Sequence, residues 1–202
     1  GLGSAPPPTL PCGDLAEAFL ANVVRNRGTI DWAADRGAAV KAVARYLYNH
    51  YRSQRLVASN DPRLAALPWR DAGLLPRFGA VDPGEPAALG YAQLGVAELG
   101  GVVTWTGKAN PAANNLLPEH HLILVNVEDL VATTEDAWRR LHEEHRSSGW
   151  PRGINFIAGP SSTADIEGKL VYGAHGPRNW HIILLGELPE DILERAQQRA
   201  GT

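Results

Sequence analysis

Cysteine is nearly absent: the 202 residues hold one, Cys12, and there is no methionine at all. A structural disulfide needs two thiols, and an iron–sulfur cluster is usually held by four. The chain by itself can form neither, so any electron transfer it serves must use metal centres on another subunit. The missing methionine implies an initiator removed or left out of the numbering. Charge is sparse on balance, since a formal net charge of −3 gives no basic footprint for DNA or RNA. No run of about 18 apolar residues occurs, so no membrane span is predicted. The opening GLGSAPPPTLPCG has neither the basic start nor the apolar core of a secretory signal, and a cytoplasmic protein is the expectation.

What is present fits one domain with trimmings, since 44% apolar content over this length supports a buried core. Pro6, Pro7, Pro8 and Pro11 keep residues 1–13 from holding a regular element, and a disordered arm is expected there. Residues 14–52 read as N-terminal helices. Leu15, Phe19 and Val23 share one face of Asp14–Arg25, which ends at Gly28, and Val40, Val43, Ala44 and Leu47 share one face of Gly37–Tyr51. Residues 53–187 read as an α/β domain. Its strands are expected at Leu56–Ala58, near Phe78–Val81, at Gly101–Trp105 and at His121–Val127, with a helix from Thr134 to Arg146. Leu89 to Gly100 reads as a small helix or turn carrying Glu98. Helices alternating with apolar strands predict a mostly parallel sheet covered on both faces, in three layers. Residues 188–202 form a C-terminal tail with a short surface helix over Leu188–Gln198.

Several tempting motifs fail on spacing. Gly101 to Lys108 has five residues between its glycines where a P-loop needs four, and Ala109 stands where the magnesium-binding hydroxyl belongs. His142 and His145 are three apart, whereas the zinc-protease helix places its histidines four apart. His120 and His121 are adjacent and point to opposite faces if extended, so they are not a ligand pair. The chain shows no haem motif, no dinucleotide glycine fingerprint and no cluster ligands, and no cofactor or metal is expected in it.

The richest stretch is INFIAGPSSTADIEGKLVYGAHGPRNWHIILL, residues 154–185. It reads as strand, loop, helix, strand. Gly159-Pro160 stops an apolar run, Ser162 and Asp165 stand at capping-box spacing, and a helix to about Tyr172 is followed by a turn and a central strand from Trp180. The hydroxyls of Ser161, Ser162 and Thr163 then gather at a helix N-terminus beyond a strand's carboxyl end, a place that favours a carboxylate or phosphate. Capping alone would use one or two of those hydroxyls. Asp165 and Glu167 compete with an anion there and suit a cation or a ligand hydroxyl instead. His175 and Arg178, one crossover later, are expected at the opposite, amino end of the sheet, where they serve the turn, an ion pair or a partner surface. Glu98, before a glycine-permitted turn and a strand, is the best candidate for carboxylate chemistry.

GPSSTADIE followed by GAHGPR and an apolar strand resembles the C-terminal signature of the lactate-utilisation protein C family, the LUD domain of LutC/YkgG type. Leu116 to His121 is similar to the family as well. The resemblance implies a fold similar to the NagB/RpiA/CoA-transferase-like superfamily. It also implies a role beside iron–sulfur partner subunits in oxidising L-lactate to pyruvate. The chain itself is expected to bind a small anionic ligand around Gly159, Ser161, Ser162, Thr163, Asp165, Glu167, His175 and Arg178, or to organise those partners. The family carries an acidic residue at Glu98 in a pattern with two threonines, which Leu99 and Gly101 replace here, so the site in this chain is expected to be altered. The alternatives are a self-sufficient enzyme of the CoA-transferase or sugar-phosphate type using Glu98 as nucleophile or base, and a metabolite-binding module.

Overall fold

The structure is a computed structural model that describes residues 12–82, 84–106, 118–146, 149, 153–160, 162–165, 169–172 and 179–202. In chain order the elements are α1 (Cys12–Arg25), β1 (Thr29–Ala33), α2 (Arg36–Tyr51), β2 (Val57–Ala58), α3 (Pro62–Ala65), β3 (Arg77–Phe78), β4 (Ala87–Tyr91), β5 (Leu94–Val96) and β6 (Gly101–Thr106). They continue with β7 (His120–Asn126), β8 (Leu130–Val131), α4 (Thr134–His145), β9 (Gly153–Ile157), β10 (Ser162–Asp165), β11 (Lys169–Tyr172), β12 (Asn179–Leu185) and α5 (Ile192–Ala200). No described helix is long and apolar enough to cross a membrane.

The apolar runs HHLILVN and NWHIILL form the centre of a parallel six-stranded sheet in the order β1-β12-β7-β4-β2-β3. Alternation divides their side chains between two cores. Leu122, Leu124 and Ile183 meet Val40, Val43 and Leu47 of α2, together with Leu64 and Trp69 from the connection after β2. Ile123, Val125, Ile182 and Leu184 meet Phe19, Leu20 and Val23 of α1, with Ile192 and Ala196 of α5. Each such side chain, wholly removed from water, contributes about 1.5–3 kcal/mol. The α/β class and the mostly parallel, two-face-covered sheet expected from the sequence are therefore present.

A second six-stranded sheet, β11-β10-β9-β6-β5-β8, lies on the α1 side and is antiparallel except for β5 with β8. It corrects the reading of residues 154–185. β9 and β12 belong to different sheets, and the expected helix is a hairpin. Thr163 pairs with Ile157 on one side and Val171 on the other, and Asp165 stands opposite Lys169. The backbone from Ser162 therefore continues a ladder that would otherwise end at β9, whose ladder groups the hairpin satisfies. Residues 89–100, read as a small helix or turn, are the end of β4, β5 and a turn. β1 was not anticipated and sits between the two expected helices, paired along its length with His181–Leu185.

The tail helix also differs from expectation, since it is docked rather than superficial. α5 runs parallel to α1, with Arg195 and Arg199 reaching Glu17 at 3.0 and 2.9 Å, while Arg25 donates to the Arg199 carbonyl at 2.6 Å. The Arg199 guanidinium, opposed by burial and helped by that of Arg195, holds the Glu17 carboxyl below its ordinary range. At the end of α1 the left-handed residue is Arg27 (φ 65°). Gly28 is required for a different reason, because a Cβ there would lie 2.6 Å from Val23 and 2.9 Å from the Trp180 indole.

Gly28→Ala is expected to destabilise the fold by about 1–3 kcal/mol, read as a lower urea midpoint at unchanged slope. Burial pushes His121 down to about 4 and, with His50 and Arg45 adding to it, His181 down to about 3. Both values lie below the ordinary 6.5, so the unfolded chain takes up protons before the native one. Stability from these two groups is complete above about pH 6.5 and is lost progressively as pH falls toward 4 and then 3. Urea midpoints measured from pH 7.5 to 5 are expected to fall across that window, and less steeply in His121→Gln.

Candidate functional site

Residues 97–100 turn the chain from β5 into β6, and Gly100 (φ 59°) supplies the left-handed step. Its four consecutive carbonyls all face α1. Asn22 Nδ2 donates to Ala97 O at 2.8 Å and to Glu98 O at 3.4 Å. Asn26 Nδ2 donates to Leu99 O at 2.7 Å and to Gly100 O at 3.2 Å. The Glu98 and Gly100 amides donate to Ala132 O and Val96 O. With its backbone held from one side, the turn presents the Glu98 side chain outward, where it is exposed.

Gly159 lies beside this turn. Val102 of β6 is in register with Ile157, and a Cβ on Gly101 would stand 2.9 Å from Ile157 O and 3.0 Å from Ala158 Cβ. β9 therefore ends against the Glu98 turn, and Gly159 (φ 138°) redirects the chain there into β10. The third part is the start of β12. Trp180 Nε1 donates to the main-chain carbonyl of Asn26 at 3.2 Å, so Asn26 joins the turn to the strand that follows Gly173–Arg178 in the chain. The expectation that Gly159 and residues 173–178 lie at opposite ends assumed neighbouring strands in one sheet. That premise does not hold, because β9 and β12 lie in separate sheets.

Of the candidate residues, Glu98 and Gly159 are thus brought together. Ser162, Thr163 and Asp165 follow as the backbone of β10. Ser161, Glu167, His175 and Arg178 lie outside the described residues.

Histidines gather where β7 and β12 begin. His120 and His121 point to opposite faces of the sheet, as the sequence implied. His121 shares the α1 face with its register partner Trp180. It is fully buried, and its Nδ1 has no partner among the described residues. His120 Nδ1 is 2.7 Å from the Tyr46 hydroxyl on the α2 face, and His181 Nδ1 is 2.7 Å from Thr29 Oγ1. Among the described residues no group of three or more histidine, cysteine or acidic side chains is arranged to hold a metal ion.

At the carboxyl ends of β1, β12 and β7 there is a cavity of about 720 Å³, lined in part by Asp35, Arg36, Gly37, Asn126, Glu128 and Glu187. Asp35 already caps α2 by accepting from the Ala38 amide at 2.8 Å. Beside the cavity, Asn126 accepts from the Tyr91 hydroxyl and donates to Asp129 at 3.2 Å.

Sequence reasoning missed Asn22, Asn26, Tyr46 and His181. The available signal for the first two was a polar pair four residues apart on a helix whose neighbouring positions, Phe19 and Val23, are core.

Comparison with known proteins agrees with this architecture. A crystal structure of a DUF162 family protein from Deinococcus radiodurans superimposes with a TM-score of 0.63, covering 88% of this chain and all of that one at 15% identity, which shows the shared fold. Lactate utilization protein C of Exiguobacterium sp. is 28% identical over 187 residues, 87% of this chain and 79% of the relative. Lactate utilization protein C of Oceanobacillus iheyensis is 27% identical over 154 residues, 68% of this chain and 66% of the relative. The family model of the LUD domain matches residues 86–185, from the strand before the Glu98 turn to the end of β12. Those residues match the LUD domain family, and the resemblance to the lactate-utilisation protein C family read from the sequence motifs is borne out.

Proposed function

We propose that the chain serves lactate utilisation as the component without iron–sulfur clusters, binding a small carboxylate-bearing ligand while oxidation proceeds on partner subunits. The names of its relatives support the process. The observation that carries the site is the meeting of the Glu98 turn, Gly159 and the start of β12 around Asn26. In this reading Gly159, Ser161, Ser162 and Thr163 supply backbone and hydroxyl donors to the ligand's carboxylate. His175 and Arg178 add a ring donor and a cation, and Asp165 and Glu167 take a ligand hydroxyl. Glu98, exposed on its turn, lies at the rim as an acid–base group rather than as a buried nucleophile.

Oxidation of L-lactate to pyruvate releases two electrons and two protons, and the electrons need an acceptor. One cysteine cannot hold a cluster of four thiolates, so the acceptor in this reading is an iron–sulfur subunit. The role left to this chain is to position the ligand and organise those partners.

The purified chain, given L-lactate and an artificial acceptor, is expected to form no pyruvate, and addition of the cysteine-rich partners is expected to establish turnover. Pyruvate formation by the chain alone, abolished in Glu98→Gln, would replace this reading with a self-sufficient enzyme. Asn26→Ala frees the carbonyls of Leu99 and Gly100, and is expected to weaken ligand binding about tenfold, the equivalent of one lost hydrogen bond of ~1.4 kcal/mol. Calorimetric titration with lactate and pyruvate checks this, with circular dichroism confirming that the variant is folded.

A further inference from the structure

The C-terminal end of α2 is fastened to the sheet by phenols and imidazoles rather than by aliphatic packing. Leu47 is its last buried residue, and Tyr48, Asn49 and His50 are exposed. Tyr46, itself buried, is hydrogen-bonded to His120 Nδ1. Its ring stacks on His50 at 3.9 Å and leans on His181 at 4.4 Å. Tyr51 lies 5.4 Å from the His120 ring and donates to Arg55 O at 3.0 Å, while His50 and His120 are 5.5 Å apart. His181 uses Nδ1 on Thr29, and its Nε2 is buried with no partner among the described residues. Immediately after the helix, Arg52 adopts the left-handed conformation (φ 47°, ψ 32°). That conformation costs a non-glycine residue about 1–2 kcal/mol and persists only where its surroundings hold it.

The charged groups facing this cluster do not neutralise its imidazoles. Arg45 of α2 is engaged with Asp31 of β1 at 2.9 Å. Glu85 faces Tyr51 and pairs with Arg55 and Arg77 at 3.5 and 3.6 Å. Glu119, adjoining His120, is exposed. Burial lowers His120, Glu119 partly offsets this, and His50 lowers it further.

We propose that Tyr46, His50, Tyr51, His120 and His181 form an acid-sensitive clasp, which docks the last turn of α2 on the amino ends of β7 and β12 and releases it about Arg52 when protonated. A neutral His120 Nδ1 can accept the phenol proton. The imidazolium carries hydrogen on both nitrogens, so the Tyr46 hydroxyl loses its acceptor inside a buried contact. A second charged imidazole within this cluster adds repulsion that Glu119 offsets only in part. Release uncovers His120 and His181, the buried imidazoles at that end of the sheet. This couples acidity to access at that end of the sheet, whatever ligand the α1 face takes.

Amide hydrogen exchange of the whole chain at pH 7 and pH 5, corrected for intrinsic rates, tests the clasp. Amides of residues 46–52 are expected to open at least about tenfold faster at pH 5, while α1 amides stay protected. Tyr46→Phe is expected to open the same segment already at pH 7. His120→Gln, which cannot take a charge, is expected to flatten the pH dependence. Exchange that rises equally in α1 and α2, or does not rise at all, overturns the proposal from the wild-type chain alone. An unchanged pH profile in a folded His120→Gln overturns it as well.

Discussion

The pairing of β7 with β12 is the constraint from which the rest follows. Seven residues of each strand run in register, from Asn179 opposite His120 to Leu185 opposite Asn126, and nearly all of them are buried. A strand buried on both faces needs two separate covers, because its side chains alternate and neither set can reach the other's partner. One cover is α2 with the connection after β2. The other is α1 with α5 and the second sheet. The same alternation sends His120 and His181 to the α2 side and His121 and Trp180 to the α1 side. Two chemically distinct places thus arise at a single end of the sheet, one of phenols and imidazoles, one of glycine turns.

α1 serves the second of those places in two ways. Its apolar residues Ala16, Phe19, Leu20 and Val23 are fully buried, while Asn22 and Asn26, on the edge of that face, satisfy four carbonyls of a turn some 75 residues away in sequence. The contacts to the Ala97 and Gly100 carbonyls are part-buried, and leaving either unmet would cost on the order of 1–3 kcal/mol. A helix that reads as simple cover is therefore also the strut that fixes where Glu98 and Gly159 stand relative to β12.

The parts legible in the sequence are those whose pattern is settled locally. Phe19 and Val23, Val43 and Leu47, and Ala137 and Leu141 each mark a helix by spacing, and the β-branched run at Gly101–Thr106 marks a strand. β1 was not legible because TIDWA buries only Ala33 fully, and its place is set by a partner strand some 150 residues later. β10 and β11 were misread because Ser162 and Asp165 satisfy a helix-capping spacing equally well. The pairing with β9 decides between the two, and no local signal reports it. The candidate site divides in the same way. Glu98 and Gly159 stood out through the glycines that permit their turns. Their proximity did not, since it depends on two sheets whose separation is a tertiary fact.

The parallel arrangement of α1 and α5 bears on how the chain can be rewired. Gly13 lies against Pro189, just ahead of α5, and Arg25 reaches the carbonyl of Arg199 at its far end. The first and last described helices therefore begin side by side and finish side by side. The end of α5 is left a helix length from the start of α1, about 14 Å at 1.5 Å per residue. A link joining the end of α5 directly to the start of α1 would have to run back along α5, and a tight two- or three-residue splice between those two points would tear Glu17 from its arginines.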